Sequence, residues 1–289
     1  MWKLKIKELF KTKECIFALE VFPPRKQSGI ENLYASLQNM KAIAPDYISV
    51  TYSAGGSGVK EYTSKIAAHL KQNLQIEPLA HLTCINSGSE EVNQELATLQ
   101  KDGISNILAL RGDRKPGGSE GGLFSHASDL ASHIQKFGDF YIAGACYPEG
   151  HPESPSLVAD IENLKTKTDS GVGHLISQLF FDNGKFFRFL NLVRKKGIHC
   201  PIEAGIMPVV RKEQIERTIS LSSASLPSEF SKMVSRYAGD EAAFYDAGID
   251  YAIRQIRDLI EGGADGIHLY AMNNAEVARR VKEGIADLL

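Results

Sequence analysis

The chain contains eight short apolar segments that recur about every 30 residues over most of its length and alternate with longer amphipathic segments. The apolar segments are rich in Ile, Val and aromatic residues, and most lack the alternation of a half-exposed sheet. Strands buried on both faces have this composition, so the pattern predicts a parallel sheet covered by helices. The predicted strands are residues 16–22, 47–52, 78–85, 106–110, 140–146, 174–181, 200–208 and 264–270.

Segments of helical period lie between the predicted strands. In residues 30–43, Leu33, Leu37 and Met40 follow the i, i+4, i+7 spacing of one buried helix face. Residues 242–260 predict a long helix, and the Gly262-Gly263 pair behind it is typical of a helix end. Residues 275–289 predict the closing helix.

Eight strands alternating with helices form either a doubly wound sheet or a closed barrel. The regular spacing favours the barrel, because closure needs units of similar size. The first strand is followed by Val21-Phe22-Pro23-Pro24 rather than by a G-x-G-x-x-G motif, which argues against a dinucleotide fold. The interval before the eighth strand is about twice as long, so residues 222–239 predict an extra helix there. We therefore expect residues 1–289 to form a single (β/α)8 TIM barrel.

Charge and composition exclude several classes of protein. Lys plus Arg number 33 and Asp plus Glu number 35, so the net charge is −2 and gives no basic footprint for nucleic acid or an anionic membrane. No apolar stretch approaches the roughly 20 residues of a membrane span, and the N-terminus does not resemble a signal peptide. The four cysteines are spread singly, without a zinc or disulfide pattern, so we expect a cytoplasmic protein with no metal site.

In a (β/α)8 barrel, reactive residues gather at the C-terminal ends of the strands. Glu20 lies within the apolar first strand, where burial of a carboxylate costs free energy unless the group is paired or its pKa is raised. A glutamate with a raised pKa is suited to general acid catalysis. The alternative is a structural ion pair with a base on a neighbouring strand, such as Arg111.

The fourth strand ends at Leu110-Arg111-Gly112-Asp113, where glycine permits close approach of the backbone to a ligand. The arginine and the aspartate supply opposite charges there. The alternative at this tetrapeptide is an Arg–Asp pair that only stabilises a turn.

The fifth strand leads into the loop Tyr147–Glu153, in which two prolines hold an aromatic ring, His151 and two acids in a fixed backbone. In the next helix, Asp160, Asn163 and Lys167 form one row at i, i+3 and i+7. A carboxylate, an amide and an ammonium in one row can bind ribose hydroxyls and a diphosphate. The alternative is an ordinary solvated helix face.

These motifs, taken in order along the chain, resemble the methylenetetrahydrofolate reductase family. Each motif is weak alone, but the ordered set is specific and extends from about residue 16 to Asn273. The matching pieces are 19–25 (LEVFPPR), 49–52 (SVTY), 81–84 (HLTC), 110–113 (LRGD), 147–153 (YPEGHPE), 163–165 (NLK), Gln178 with 180–182 (FFD), and 205–208 (GIMP).

The resemblance implies an FAD-dependent reductase of 5,10-methylenetetrahydrofolate with NADH or NADPH as electron donor. Glu20 corresponds to the general acid, and Asp113 to an acid close to the flavin and the pterin. Gln178 and Gln214 correspond to folate contacts, and we include Tyr270 in the substrate site. The positions that fall at the FAD site are Thr51, Tyr52, Ala54, His81, Leu110, Arg111, Gly112, Asp113, His126, Ala127, Tyr147, His151, Asp160, Asn163 and Lys167.

The sequence departs from the family pattern at four positions. Thr218 replaces an aromatic residue that stacks on nicotinamide and folate, and Asn274 replaces an arginine that contacts folate. His126 replaces a tyrosine near the flavin phosphates, and Thr166 replaces a basic residue. A different donor, a compensating residue, or an accessory subunit that feeds electrons would accommodate these changes.

Two other functions compete with the reductase. An electron-relay flavoprotein subunit would hold FAD for a partner, although the presence of Glu20 argues that substrate chemistry is retained. A folate-binding barrel methyltransferase would need acidic groups for a pterin but no FAD, so the row at Asp160 argues against it. The family resemblance also favours a homo-oligomer.

Overall fold

The computed structural model of the protein describes residues 4–24, 27–52, 56–113, 124–215, 218 and 224–289, with the side chains of residues 27 and 56–61 excepted. Eight parallel strands, each paired with the next, form a closed barrel in which β8 returns to β1. The strands are β1 Ile16–Val21, β2 Tyr47–Val50, β3 Pro78–Thr83, β4 Asn106–Leu110, β5 Tyr141–Cys146, β6 His174–Ser177, β7 Ile202–Ile206 and β8 Gly266–Leu269.

The barrel fold and all eight predicted strands are therefore confirmed. Most strands are shorter than the apolar segments that predicted them: β6 ends at Ser177, whereas the predicted segment runs to residue 181. Phe180 and Phe181 are buried, but they lie in the connection that leads to the next helix. Hydrophobicity reports burial and does not show where the ladder of backbone hydrogen bonds ends.

The helices surround the barrel and pack their apolar faces on it. The α1 helix buries Leu33, Leu37 and Met40, as its spacing predicts, and the long helix before β8 ends at Gly262, also as predicted. The helices described are α1 Ile30–Lys41, α2 Gly56–His69, α3 Ser89–Lys101, α4 Ala127–Phe137, α5 Leu157–Asp169, α6 Asn183–Lys195, α7 Ser228–Tyr237, α8 Glu241–Glu261 and α9 Ala275–Gly284.

The α7 helix is the extra helix predicted between β7 and β8. It covers only part of the predicted range, of which Ser222 and Ser223 lie outside the described residues. A short 3-10 helix, Ile6–Lys11, precedes β1 and lies across the barrel. Ile6 is fully buried against the interior residues, and the Phe10 ring lies 5.2 Å from the His174 ring. Among the described helices, none is long and apolar enough to cross a membrane.

Candidate active site

Glu20 lies on β1, near the C-terminal end of the barrel, and its side chain is 21% exposed. Its Oε2 atom lies 3.6 Å from Nε2 of His81 and 3.7 Å from Nε2 of His268. Arg111, the structural partner considered above, instead forms a bidentate ion pair with Glu153, with N–O distances of 2.5 and 2.8 Å. Glu20 therefore lies beside two imidazole rings and is not paired with Arg111.

The two imidazoles beside Glu20 differ in charge. Burial lowers the pKa of His81 to about 4, so this ring is neutral at pH 7. Burial also disfavours the charged form of His268, but the nearby carboxylates of Glu20 and Glu203 outweigh it and raise the pKa of His268 to about 9. At neutral pH Glu20 therefore faces one neutral ring and one imidazolium.

A polar column continues from His268 into the barrel interior, a region that branched aliphatic residues usually fill. Glu203 on β7 is fully buried, and its carboxylate accepts the hydroxyl of Tyr47 at 2.8 and 2.9 Å. His268 Nδ1 lies 3.6 Å and His174 Nε2 lies 3.4 Å from that carboxylate. We define the polar column as Tyr47, His174, Glu203 and His268.

No member of the polar column is among the predicted site residues. The signal was nonetheless present, because Glu203 and His268 are polar residues within the apolar strands Ile202–Ile206 and Gly266–Leu269. The reasoning that selected Glu20 on β1 applies equally to both. A charged residue in any apolar strand of a predicted barrel therefore merits the same test.

The segment after β4 lies at the same end of the barrel. Leu110 and Arg111 are half-buried, whereas Asp113 is exposed. The pairing of Arg111 with Glu153 shows that the Arg–Asp alternative is wrong for the arginine. Gly112 has a φ of +84°, and a Cβ atom there would lie 3.0 Å from Cβ of Thr83, so glycine is required for this backbone path.

Asp160 fixes the loop that follows β5. Its carboxylate accepts the backbone N–H of His151 at 3.2 Å and the hydroxyl of Ser154 at 2.9 Å. The ring of His151 also lies edge-on to Tyr147, with centroids 4.7 Å apart. Asp160 thus sets the position of the loop Tyr147–Glu153.

Lys167 lies in the same helical row and turns inward. Its ammonium donates to the carbonyl of Ala145 on β5 at 2.7 Å, and burial lowers its pKa. Asn163 is exposed. The solvated-face alternative is therefore wrong for Asp160 and Lys167 and describes only Asn163.

The remaining predicted cofactor positions lie on the connections after β2 and β4. Thr51 and Tyr52 are half-buried, and a hydrogen bond joins Tyr52 to Ser87. His126 is exposed at the start of α4, where the carboxylate of Asp129 accepts its backbone N–H at 2.9 Å. Ala127 begins that helix and is buried. Ala54 lies outside the described residues.

The three predicted substrate residues follow β6, β7 and β8. The amide oxygen of Gln178 accepts the backbone N–H of Leu179 at 2.9 Å, and that of Gln214 accepts the N–H of Val210 at 2.8 Å. Because both amide oxygens already accept backbone N–H groups, these side chains would contact a substrate mainly through their amide nitrogens. The hydroxyl of Tyr270 donates to the carbonyl of Ser177 at 2.8 Å, which ties the end of β8 to β6.

Three of the four departures from the family pattern have local partners in this structure. Thr218 is buried with its hydroxyl 4.0 Å from the sulfur of Met207. Asn274 caps α9, where its side-chain oxygen accepts the N–H groups of Glu276 and Val277 at 3.0 and 3.2 Å. Thr166 is exposed and bonds within its own helix. Within the described ranges, no three His, Cys, Asp or Glu side chains are grouped to hold a metal ion.

The fold and the site define a class of protein: a closed (β/α)8 barrel with a carboxylate between two imidazoles at one end and a fixed aromatic and acidic loop beside it. The family model described as methylenetetrahydrofolate reductase matches residues 5–285. The chain belongs to the methylenetetrahydrofolate reductase family, as the ordered motifs indicate.

Individual relatives agree with this assignment. Methylenetetrahydrofolate reductase (NADH) 1 of Arabidopsis thaliana is 33% identical over 285 residues, which cover 93% of this chain and 48% of that protein. The 5,10-methylenetetrahydrofolate reductase of Escherichia coli K12 is 33% identical over 261 residues, covering 90% of this chain and 87% of that protein. The chain thus spans about half the length of the plant relatives.

A solved structure has the same fold. It is an uncharacterized protein from Clostridium thermocellum that binds two copies of 5-methyl-5,6,7,8-tetrahydrofolic acid. The TM-score is 0.72 with 13% sequence identity, and the match covers 98% of each chain. At this identity the likeness supports the barrel fold alone.

Proposed function

We propose that this protein reduces 5,10-methylenetetrahydrofolate to 5-methyltetrahydrofolate, with FAD as the hydride carrier and NADH or NADPH as the electron donor. The observation that carries the proposal is Glu20, a half-buried carboxylate beside two imidazoles at the mouth of a barrel of this family. The name of the plant relatives includes NADH, which favours NADH as the donor.

The residues at the mouth fit FAD in charge and shape. Arg111 follows β4 and Lys167 reaches the carbonyl of Ala145 near the end of β5, so neighbouring strands bring two cations to this end of the barrel, where cations suit a diphosphate. The buried Nε2 atom of His81 has no hydrogen-bond partner within the described part of the chain, so it can bond to a bound group. Gly112 leaves the backbone after β4 open to close approach.

The flavin supplies the hydride chemistry, and the protein must bind it, orient the folate and supply a proton. We assign the proton to Glu20, which protonates a nitrogen of the imidazolidine ring so that the ring opens to an electrophilic iminium. We further propose that Asp113, which is exposed after β4, holds the pterin and adjusts the charge near the flavin. Gln178, Gln214 and Tyr270 are proposed to contact the folate.

The electron-relay subunit remains the second candidate, and a specific observation favours it. The position of the nicotinamide-stacking aromatic is occupied by Thr218, which is buried against Met207. An external donor, delivered by an accessory subunit, would not need that ring. We propose a homo-oligomer in the cytoplasm as the setting for either function.

A visible spectrum of the purified protein tests the proposal. We expect flavin absorption bands that bleach on anaerobic addition of NADH or NADPH and return when methylenetetrahydrofolate is added. Bands that ignore both nicotinamides but bleach with dithionite and return with the folate would favour the accessory donor. A protein that cannot be reconstituted with FAD would refute the reductase and favour the methyltransferase.

The row on α5 gives a prediction about FAD retention. Asp160→Ala is expected to weaken FAD binding by about tenfold, since it removes the carboxylate that holds His151 and Ser154 in position. Flavin released on dilution, measured by its fluorescence, reports the change. Asp169→Ala, on the exposed end of the same helix, is the matched control and should retain FAD like the wild type. Equal retention in both variants would contradict the role of Asp160.

A further inference from the structure

The polar column connects the proposed general acid to a second, fully buried carboxylate. His268 lies between them: Nε2 is 3.7 Å from Glu20, and Nδ1 is 3.6 Å from Glu203. The Tyr47 hydroxyl lies 3.2 Å from Nδ1 and donates to Glu203 at 2.8 Å, which links ring and carboxylate a second time. One imidazole therefore faces two carboxylates on opposite sides.

The side of His268 that faces Glu20 has a further polar neighbour, Ser49. Its Nε2 atom lies 3.0 Å from the hydroxyl of Ser49, and Ser49 is the cross-strand partner of Glu20 in the β1–β2 pairing. Neighbouring strands thus bring a carboxylate, a hydroxyl and an imidazole together at one level of the barrel. These are groups that exchange protons readily.

We propose that His268 is a positioning residue that stores the proton delivered through Glu20, and that Glu203 retains this proton on the imidazole at neutral and mildly alkaline pH. The inference rests on the proposed function, because it concerns the proton that Glu20 gives to the folate. Glu203 acts at a distance and does not touch the substrate.

The proton transfer balances without any further reactant. The Nε2–H bond of His268 breaks while an O–H bond forms on Glu20. As the substrate nitrogen forms its N–H bond, that O–H bond breaks, which leaves Glu20 as a carboxylate and the ring neutral, with Nδ1–H toward Tyr47 and Glu203. After the product leaves, the ring regains a proton from water entering through the mouth of the barrel.

Charge supports this storage role. Burial by itself would make His268 neutral, and the two carboxylates beside the ring raise its pKa to about 9. His81 and His174, which lack this double pairing, have pKa values lowered to about 4 by burial. The titratable and polar groups that face His268 are Glu20 from β1, Tyr47 and Ser49 from β2, His81 from β3, His174 from β6, Glu203 from β7 and Tyr270 after β8.

The decisive variant is Glu203→Gln, which removes the buried charge and keeps an oxygen that accepts from Tyr47. The holoenzyme is reduced with dithionite and mixed with methylenetetrahydrofolate across pH 6 to 9.5 in a stopped-flow instrument. We expect flavin reoxidation to be at least tenfold slower than in the wild type near pH 8.5 and within threefold of it at pH 6. Flavin reduction by the nicotinamide should not change. A wild-type pH profile in the variant would overturn the inference.

His133→Gln is the matched control, because His133 lies outside the polar column and bonds to Asn93 at 2.7 Å. It should leave the pH profile of the folate step unchanged. If it slows the step near pH 8.5 as much as Glu203→Gln does, the effect is not specific to the column and the storage role is refuted.

A second measurement needs no variant that might misfold. In the wild-type protein with 13C-labelled histidine, NMR should show the imidazole of His268 titrating well above pH 7.5. A His268 signal that is neutral at pH 7.5 would refute the inference while leaving the reductase proposal intact. A wild-type protein that never reduces the folate, whatever donor is used, would refute the proposed function itself and the inference with it.

Discussion

Glu20→Gln is expected to slow folate reduction by about 10²- to 10⁴-fold, the usual contribution of a positioned general acid. Glutamine keeps the size of the side chain and a hydrogen-bond donor toward the imidazoles, but it has no proton to give to the substrate nitrogen. FAD binding and flavin reduction by the nicotinamide should remain within a few-fold of the wild type. Stopped-flow measurement of the two half-reactions separates these effects.

Two further variants make this result specific. Glu90→Gln, at an exposed position in the first turn of α3, makes the same chemical change away from the mouth and should have no effect. Glu20→Asp retains an acid one methylene farther away, so it should recover part of the lost rate. Normal folate turnover in Glu20→Gln would refute the assignment of Glu20.

Gly205→Ala is expected to lower the free energy of unfolding by about 3 kcal/mol, the upper range for overpacking a core. A Cβ atom at this position would lie 2.1 Å from the backbone oxygen of Ser177 and 2.7 Å from the hydroxyl of Tyr270. Neither neighbour can move freely. The Ser177 oxygen accepts a hydrogen bond from the Tyr270 hydroxyl, and the two residues lie at the ends of β6 and β8, the strands on either side of β7. The strands β6 and β7 would therefore have to separate locally. Urea unfolding, followed by circular dichroism, measures the loss.

Gly239→Ala is the control, because an added Cβ atom there has no neighbour within 4 Å. Its free energy of unfolding should lie within about 0.5 kcal/mol of the wild type, as is usual for surface substitutions. If Gly205→Ala has the unfolding midpoint of Gly239→Ala, the close approach of β6, β7 and Tyr270 is wrong. A stable Gly205→Ala protein that binds folate less tightly would instead place the strain on Tyr270.

The sequence predicts the architecture because each barrel strand can be recognised from its own short apolar segment. Each strand is a short apolar segment, and the interval between the segments of β7 and β8 is long enough to predict the additional helix α7. Strand ends are less predictable, as Phe180 and Phe181 illustrate, because buried side chains continue beyond the last ladder hydrogen bond.

The pairing of side chains across the site was beyond local reasoning. The structural alternatives paired Arg111 with Glu20 or Asp113, whereas it binds Glu153, a residue 42 positions away in the next loop. His268 and Tyr47 are separated by 221 residues and meet only because β8 closes on β1 and brings β2 within reach. Such contacts depend on register and closure, which hydrophobic periodicity does not specify.

The polar column also links closure of the barrel to charge pairing. Glu203 lies on β7, and His268, the cation that faces it, lies on β8, the strand that closes the barrel on β1. A barrel in which β8 has not docked leaves Glu203 without that cation, and a broken buried pair costs about 3–5 kcal/mol. Docking of β8 between β7 and β1 therefore completes the sheet and the ion pair together.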